Sequence, residues 1–556
     1  METVNLPHPF IVQYPLFKAY DIRGNHELFT DDFLAVLAYV FAEHYQQAGA
    51  STVVVGFDAR QFSPIIADKL THALITVGIK VLSLGLVTTP MMVFCAEQQE
   101  GHGIMVTASH SAKHYAGIKW LTHHQSPNSN DIEHFYRRMA HVHITGDMAH
   151  GRMSLNNGTD KKNPPAQSLD IFTDYQKAIK QVCQTLIDID IKTMSQKQNQ
   201  GLANGSLNHH AKPLKTKPLN TKPLLVIDCL NGATSAYAQR LFDEIIQMTG
   251  FAQSVIVLND NADGNFPKGN PDPTEANRLT ELANTVVKHH AKLGLAFDGD
   301  GDRLCVIDEQ GRLFSQDNLL YLLGHIAISD TRLLNQSQQY QSQQEQNKPA
   351  VLFDVKCSHV LPKLIQRDGG TPILSKTGSS HLRHALKNEH RHALFAGELS
   401  GHFIFNDGHF ILHDDAMYAG VRLLIWLSKH AKSLANIRDS LPSVVSTGDV
   451  YLPLPTTNRP IIDALFGWYQ RGKSFLTNTS AKLIQLDTTD GLRLEYEHGV
   501  GVVRTSNTSP SLTCRIAGDD LYHFNAIKAH LVTLCKQVDT NLATQIANIN
   551  IHHSCQ

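Results

Sequence analysis

Residues 298–303 read Asp-Gly-Asp-Gly-Asp-Arg and place three carboxylates on one short loop. Apolar residues precede the loop at 293–297 and follow it at 304–307, so we predict a tight connection between two strands. Three neighbouring anions repel one another unless a cation neutralises them, and oxygen-only ligands favour a hard divalent ion such as Mg²⁺. The loop therefore predicts a magnesium site suited to phosphate chemistry, with these ligands: Asp298, Asp300 and Asp302.

An EF-hand calcium loop is the main alternative for this segment. Glu309 falls at the twelfth position counted from Asp298, as that loop requires. The sixth position, however, is Arg303, where an EF-hand needs glycine for its sharp turn. Residues 304–307 also resemble a strand more than a loop or helix, so we favour the magnesium site.

Ser109 follows a second predicted strand, at residues 103–107. A hydroxyl at the end of a strand can serve as a nucleophile or phosphoryl carrier, although such a serine can equally cap a helix. No G-x-S-x-G motif surrounds it, so a hydrolase triad is not supported. Lys119 lies ten residues further on and can neutralise a phosphoryl group.

Two more polar loops follow predicted strands, and each taken alone also fits a simple turn. Glu398, Ser400 and His402 lie among glycines and suit hydrogen bonding to sugar hydroxyls. Arg504 begins the last loop, and a guanidinium with neighbouring hydroxyl and amide donors can cradle a phosphate. The neighbouring donors are Ser506, Asn507 and Thr508.

The bulk composition narrows the class of protein. A chain of 556 residues exceeds one hydrophobic core, and its 49 basic and 51 acidic side chains offer no general surface for nucleic acid. The longest apolar runs are too short to cross a membrane, and no signal peptide is visible, so we expect a cytoplasmic protein. The eight cysteines contain no C-x-x-C pair and predict neither a zinc site nor a disulfide framework.

Strands and helices alternate three times along the chain, at about residues 52–107, 224–297 and 350–396, which predicts three α/β units. The remainder, from about residue 436, has an α+β pattern. Polar, low-complexity residues at 151–222 and 335–348 are interpreted as insertions; the first contains a helix near 170–190 and predicted disorder at 195–222. We therefore predict domains at 1–150, 151–311, 312–435 and 436–556.

Seven motifs in order carry a resemblance to a known family: YDIRG at 20–24, TASH at 107–110, DGNFP with PDP at 263–273, DGDGDR at 298–303, DVK at 354–356, GELSGH at 397–402 and RTSNT at 504–508. The chain resembles the α-D-phosphohexomutases, most closely their bacterial bifunctional phosphomannomutase/phosphoglucomutase branch. The resemblance covers nearly the whole chain outside the insertions. It implies four domains, three α/β and one C-terminal α+β, around a central cleft to which each contributes one loop.

The resemblance also implies roles for individual residues. Ser109 would carry the phosphoryl group, and its phosphate oxygen would join the three aspartates as the fourth magnesium ligand. Glu398 and Ser400 would recognise the sugar, with His402 beside them, and the loop from Arg504 to Thr508 would hold the non-reacting phosphate. Further cleft residues would be Tyr20, Arg23, Lys119, Arg303 and Lys356. Lys119 and His402 are candidates for proton transfer.

The implied activity is an isomerisation of hexose 6-phosphate and hexose 1-phosphate, for mannose, glucose or both. It would proceed through phosphoserine and a hexose 1,6-bisphosphate intermediate, in a cytoplasmic monomer without nucleic-acid or membrane partners. Two alternatives stay open. One is a phosphoglucosamine mutase, although Leu399 stands where that subgroup typically has glutamine.

The other alternative is a non-catalytic protein that binds sugar phosphates, because the chain departs from the family pattern in several places. Ser111 and Ala112 replace a common Asn-Pro pair, and Ala116 replaces a usual asparagine. Ser379 replaces a usual histidine, with His381 two residues later.

Overall fold

The computed structural model describes residues 8–146, 165–203, 224–337, 348–430, 432–453, 459–471, 481–506 and 511–550. These residues form four β-sheets, each covered by helices. No helix within these ranges is both long enough and apolar enough to cross a bilayer.

The first sheet combines parallel and antiparallel strands, and its core strand Thr52–Phe57 pairs in parallel with both neighbours. That strand is almost wholly buried because helices cover both faces of the sheet. In spatial order the strands are Ile22–Asn25, Tyr115–Leu121, Gly103–Val106, Thr52–Phe57, Lys80–Leu86 and Gln167–Ser168. The helices are Asp31–Gln47, Ser63–Thr76, Thr89–Glu97 and Ser129–Thr145, with short 3-10 turns at Ile11–Leu16 and His26–Leu28.

The second sheet ends in a hairpin whose connection is the acidic loop. Strands Leu293–Phe297 and Leu304–Asp308 pair antiparallel with Phe297 opposite Leu304, as the apolar flanks predict. In spatial order the strands are Leu313–Phe314, Leu304–Asp308, Leu293–Phe297, Leu224–Asp228 and Ser254–Leu258. The helices of this unit are Phe172–Ala203, Ala238–Thr249 and Thr280–Lys288, with a 3-10 turn at Ala233–Ala236.

The third sheet has four strands, in the order Thr371–Ser375, Ala350–Asp354, Ala393–Gly397 and Phe403–Phe405. Its helices are Gln316–Ser337, Val360–Arg367, Ser379–Asn388 and Ala416–His430. The fourth sheet is antiparallel throughout and contains Val445–Ser446, Val450–Pro453, Ser511–Gly518, Gly499–Thr505, Leu492–Tyr496 and Leu483–Asp487. Its helices are Arg459–Arg471, Leu521–Lys536 and Thr540–Ala547. The helix Leu434–Ser440 precedes this sheet and packs through Leu434 and Ile437 on the hydrophobic core of the other units.

The hydrophobic cores join the first three units more firmly than the fourth. One large cluster contains Met91 of the first unit, Phe242 of the second and Phe395 of the third. The fourth unit has its own cluster, which includes Leu494 and Leu531. The predicted architecture of three α/β units and a C-terminal α+β unit is confirmed.

One prediction about the insertions needs correction, and the remaining parts of the insertions lie outside the described residues. The predicted helix near 170–190 exists but extends over Phe172–Ala203, so disorder from residue 195 was wrong as far as residue 203. Its first part cannot be removed freely, because Ile179 and Leu186 belong to the large core cluster. Residues 204–222 and 338–347 lie outside the described ranges.

The domain boundaries at 150, 311 and 435 stay a prediction. Strand Gln167–Ser168 falls beyond the first boundary, yet it pairs in parallel with Lys80–Leu86 of the first sheet.

A buried carboxyl joins the helix Phe172–Ala203 to the third unit. The Tyr175 hydroxyl donates to both oxygens of Asp415, at 3.0 and 2.8 Å, just before the helix Ala416–His430. Asp415 also accepts the backbone N–H of Tyr418, at 3.0 Å. Burial raises the pKa of Asp415 to about 7, although these donors oppose the shift.

Asp415→Asn should therefore change how stability depends on pH. A carboxyl with a higher pKa in the folded state holds its proton more tightly there, so its contribution to the free energy of unfolding falls as pH rises from about 4 to about 7. Asparagine keeps an oxygen acceptor but does not ionise. Relative to wild type, the variant should gain on the order of 2–4 kcal/mol across that range, measured by denaturant unfolding.

Asp520→Asn is the matched control, since exposed Asp520 also precedes a helix but its pKa is lowered by the backbone N–H of His523. This variant should lose stability relative to wild type as pH rises. Identical pH trends for the two variants would contradict the role of Asp415.

Candidate active site

The acidic loop holds its three carboxylates in a fixed, buried arrangement. Oδ1 of Asp298 accepts three backbone N–H groups of its own loop, from Gly301 and Asp302 at 3.0 Å each and from Arg303 at 3.2 Å. Candidate ligand oxygens of Asp298, Asp300 and Asp302 all lie within 4.8 Å of one another. The sequence prediction that these side chains converge on one point agrees with this geometry.

Ser109 lies directly against the acidic loop. Its Oγ donates to Oδ2 of Asp298 at 2.8 Å, and it is 3.2 Å from Nδ1 of His110. A side chain on Gly299 would approach the Ser109 carbonyl to 2.5 Å, so glycine permits the close contact between the two loops. Ser109 also adopts a positive φ of 50°, a strained conformation that the surrounding contacts must maintain.

The buried pair of Asp58 and Arg60 maintains that conformation. Arg60 donates to the carbonyls of Ser109 and Ser111 at 2.6 Å each and to that of Ala112 at 2.7 Å. Asp58 accepts from Arg60 Nε at 3.1 Å and from the Thr107 hydroxyl at 2.8 Å. Because these contacts use backbone carbonyls at 111 and 112, the unusual side chains there leave the loop supported.

Lys119 neutralises part of the acidic cluster. Its Nζ donates to Oδ2 of Asp300 at 2.8 Å and to Oδ2 of Asp302 at 2.7 Å. Burial alone would raise the pKa of Asp300, but the Lys119 ammonium holds it below its ordinary value. Burial and the two neighbouring carboxylates raise the pKa of Asp298 well above its ordinary range.

The cluster fits a divalent cation on its own chemistry. Lys119 supplies one positive charge against three carboxyl groups, and Oδ1 of Asp300 and of Asp302 are buried without a hydrogen-bond partner among the described residues. Unpartnered buried carboxylate oxygens are costly unless a cation binds them. Every donor here is oxygen, which suits a hard ion.

The sugar-recognition loop predicted at 397–402 docks on the acidic loop. Residues Arg303 and His402 form an antiparallel bridge, and the backbone N–H of Leu304 donates to the Gly401 carbonyl at 3.0 Å. Arg303 Nε also donates to Nε2 of His402 at 3.1 Å. Backbone pairing therefore places two loops from different sheets side by side.

His402 is surrounded by carboxylates. Its Nδ1 lies 2.7 Å from Oδ2 of Asp414 and 3.5 Å from Oδ1 of Asp302, and its Nε2 lies 3.6 Å from Oε1 of Glu398. Burial disfavours the imidazolium, but Asp302 and Asp414 raise the pKa of His402 above its ordinary value. Asp414 is paired in turn with Arg383.

Glu398 connects the sugar-recognition loop to another loop of the third unit, at residues 377–378. Its Oε1 accepts the Ser400 hydroxyl at 2.5 Å, and its Oε2 accepts the backbone N–H of Gly378 at 2.8 Å. Tyr20 approaches from the first unit: burial and the carboxylates of Asp21 and Glu398 raise its pKa. Arg23 pairs with Asp21 beside the serine loop.

Two cations of the predicted site are held by carboxylates of the fourth unit. Lys356 Nζ donates to Oδ2 of Asp449 at 2.6 Å, and Arg504 Nε donates to Oδ2 of Asp490 at 2.8 Å. Ser506 donates its backbone N–H to the Ser511 carbonyl at 2.9 Å. The predicted phosphate contacts Asn507 and Thr508 lie outside the described residues.

Sequence reasoning missed several residues of this site. Asp58 and Arg60 follow the strand Thr52–Phe57 as D-A-R, which could have marked a loop-supporting pair. His110 was visible next to Ser109; burial and the cations of Arg303 and Arg23 lower its pKa well below the ordinary value. Asp414 and Asp490 are distant in sequence from the residues they contact, so no local pattern identifies them.

Known protein families and relatives match the sequence of this chain along most of its length. Models of the phosphoglucomutase/phosphomannomutase alpha/beta/alpha domains I, II and III match residues 15–141, 203–311 and 330–445. The phosphomannomutase/phosphoglucomutase of Pseudomonas aeruginosa is 31% identical over 534 residues, covering 95% of this chain and 96% of the relative. The phosphoglucomutase of Neisseria gonorrhoeae is 30% identical over 512 residues, covering 91% and 93%.

A solved structure shows the same similarity in three dimensions. The crystal structure of a phosphoglucomutase/phosphomannomutase family protein from Burkholderia thailandensis has a TM-score of 0.72 at 26% identity. The match covers 97% of this chain and 99% of that one.

Asp300→Asn should weaken binding of a divalent cation, because it removes one negative charge and one of the two unpartnered oxygens. We expect at least a tenfold rise in the dissociation constant for Mg²⁺, about 1.4 kcal/mol or more, measured by calorimetric titration. Asp260→Asn, at an exposed position of the same unit, is the control and should bind like wild type. Equal affinity in the two variants would rule out the acidic loop as the metal site.

Proposed function

The chain belongs to the phosphoglucomutase/phosphomannomutase family, and we propose that it interconverts hexose 6-phosphates and hexose 1-phosphates. The observation that carries this function is the contact of the Ser109 hydroxyl with Asp298 in a buried acidic cluster, supported by Arg60. This arrangement holds one hydroxyl in a strained, fixed position beside a candidate cation site, as a phosphoryl carrier requires.

The reaction proceeds in two transfers. The sugar hydroxyl attacks phosphorus of phospho-Ser109, the bond between phosphorus and Oγ breaks, and a hexose 1,6-bisphosphate forms. After the bisphosphate reverses its orientation, Oγ of Ser109 loses its proton and attacks phosphorus of the other phosphate. The bond from that phosphorus to the sugar oxygen breaks, the sugar oxygen takes a proton, and phospho-Ser109 forms again. A divalent cation held by the three aspartates supplies electrostatic stabilisation of the transferring group, and we assign this cation as Mg²⁺.

The chain's own residues divide the remaining tasks. Lys119 lies within hydrogen-bond distance of two carboxylates and supplies positive charge beside the phosphoryl group. His402 is our candidate to take the proton of the attacking hydroxyl at Nε2, which accepts a hydrogen bond from Arg303 Nε in this structure and must release it to act as a base. Glu398 and Ser400 bind sugar hydroxyls, while Arg303, Arg23 and Tyr20 line the same region.

A second set of cations suits the phosphate that does not react. Lys356 and Arg504 are buried and lie on the third and fourth units, whereas Ser109 lies on the first. Two separate phosphate sites allow one cleft to accept both orientations of the bisphosphate. Ser506, Asn507 and Thr508 complete this second site in our proposal.

The substrates and the cellular compartment are inferred from the relatives and from the cysteines. We propose mannose and glucose phosphates as substrates, because the relatives are named for both activities. The seven cysteines within the described ranges are all buried and unpaired, which fits a reducing compartment such as the cytoplasm. Function as a monomer stays a prediction.

Ser109→Ala should abolish turnover of glucose 1-phosphate and mannose 1-phosphate in a coupled assay with a trace of the bisphosphate. Intact-mass analysis of purified wild type should show a fraction about 80 Da heavier, which the variant lacks. Ser111→Ala removes the next serine hydroxyl of the same loop and should keep both the mass shift and the activity. Retention of more than about a tenth of wild-type turnover by Ser109→Ala would exclude it as the carrier.

Arg60→Lys should lower kcat by about a hundredfold with little change in KM, because lysine cannot bind the three carbonyls that fix the serine loop. Steady-state kinetics on glucose 1-phosphate measure this, and thermal unfolding checks that the variant folds. Arg137→Lys, at an exposed surface pair, is the control. An Arg60→Lys enzyme with wild-type kcat would show that the serine loop needs no such support.

A further inference from the structure

Asp490 links two units of the protein through a single carboxylate oxygen. Its Oδ2 accepts Nε of Arg504 at 2.8 Å, within the fourth unit, and the backbone N–H of Thr377 at 3.0 Å, in the third unit. The neighbouring residue Gly378 donates its own N–H to Glu398 at 2.8 Å. Asp490 therefore stands between the candidate phosphate-binding arginine and the sugar-recognition loop.

The turn that carries Asp490 is built to remain close to Arg504. Gly491 has a φ of +86°, and a Cβ at this position would approach Cβ of Arg504 to 2.6 Å. Only glycine combines this backbone conformation with such a close approach. The turn can therefore pack directly on the strand Gly499–Thr505 and present its carboxylate to the guanidinium.

When Nε of Arg504 donates to Asp490, another nitrogen of the guanidinium, Nη2, remains available as a donor. Its side chain is buried, and its Nη2 has no hydrogen-bond partner among the residues that the structure describes. A buried donor without a partner costs free energy until an acceptor arrives, and a phosphate oxygen is a strong acceptor. Asp490 thus orients the guanidinium without using the donor that a phosphate needs.

The interface between the third and fourth units depends strongly on polar contacts. Within the described residues, the fully buried apolar cluster that spans this interface consists of Val355, Val500, Val502 and Ala517. A cluster of this size is small beside the core that joins the first three units. Polar links therefore contribute to seating the fourth unit, and that of Asp490 is one of a set that includes the hydrogen bonds of Arg493 to the carbonyls of Val355 and Cys357.

We propose that Asp490 is a positioning residue that couples phosphate binding by Arg504 to the docking of the fourth unit on the sugar-recognition loop. This inference rests on the proposed function of the site. Loss of the carboxylate should loosen the guanidinium and the docking together. Contacts to a non-reacting phosphate are similar in the ground and transition states, so the main effect should be on KM.

The kinetic test uses Asp490→Ala, Asp490→Asn, Arg504→Ala and the double alanine variant, with glucose 1-phosphate as substrate. Each alanine variant should raise KM about tenfold or more and lower kcat less. Because the two residues act as one unit, the double variant should resemble Arg504→Ala alone. Asp490→Asn keeps an oxygen acceptor at nearly the same volume and should show a smaller rise. Additive effects in the double variant, or an unchanged KM in Asp490→Ala, would overturn the proposal.

Hydrogen exchange provides a readout that does not depend on activity. The Thr377 amide should exchange faster in Asp490→Ala, because its acceptor is gone, and at a rate near wild type in Arg504→Ala. Glu497→Gln, which removes an exposed carboxylate of the same sheet, is the control for both measurements and should match wild type. Unchanged exchange at Thr377 in Asp490→Ala would also overturn the proposal.

The outcomes separate this inference from the proposed function. A wild-type protein without turnover of either hexose 1-phosphate would contradict the proposed function, and amide exchange would still decide whether Asp490 holds the Thr377 amide of the third unit. Normal turnover by wild type, together with an unchanged KM and unchanged Thr377 exchange in Asp490→Ala, would contradict this inference alone.

Discussion

Three carboxylates buried within 4.8 Å of one another impose the constraint on which this site depends. Their mutual repulsion in a region of low dielectric must be offset by cations and donors from elsewhere. Lys119 comes from the first sheet, and the backbone donors to Asp298 come from the loop itself. The serine hydroxyl that contacts Asp298 completes a region whose residual charge suits a divalent cation and, with it, a phosphoryl group.

From this cluster a continuous chain of polar contacts reaches the other end of the site. It passes through His402 and Glu398 to the loop at 377–378, and from there through Asp490 to Arg504. Two of these steps cross between units, from Asp302 to His402 and from Thr377 to Asp490, and the others lie within one unit. This series of contacts explains why residues from four units can respond to one substrate. Displacement of any one loop alters the polar contacts of the next.

The hydrophobic cores determine which parts of this series of polar contacts are rigid. The first three units share one large hydrophobic cluster, so the serine, the acidic loop and His402 are held in fixed relation. The fourth unit has its own core and meets the third through a small apolar cluster and several charged pairs. Rigid positioning is needed where bonds form and break, whereas a substrate that must reverse within the cleft benefits from a unit that can move.

The sequence by itself determined the α/β units, the acidic hairpin loop and the residues that converge there, because strand ends and glycine-spaced carboxylates are local patterns. It marked Asp58 and Arg60 as a possible pair but did not show that they support Ser109, because residue type does not tell which backbone carbonyls a guanidinium binds. It predicted disorder where the helix Phe172–Ala203 continues, because a polar composition does not reveal a helix extended by its own hydrogen bonds. The contacts of Asp414 with His402 and of Asp490 with Thr377 were decided only by the tertiary structure. Packing of separate units brings those groups together, and no spacing along the chain encodes that approach.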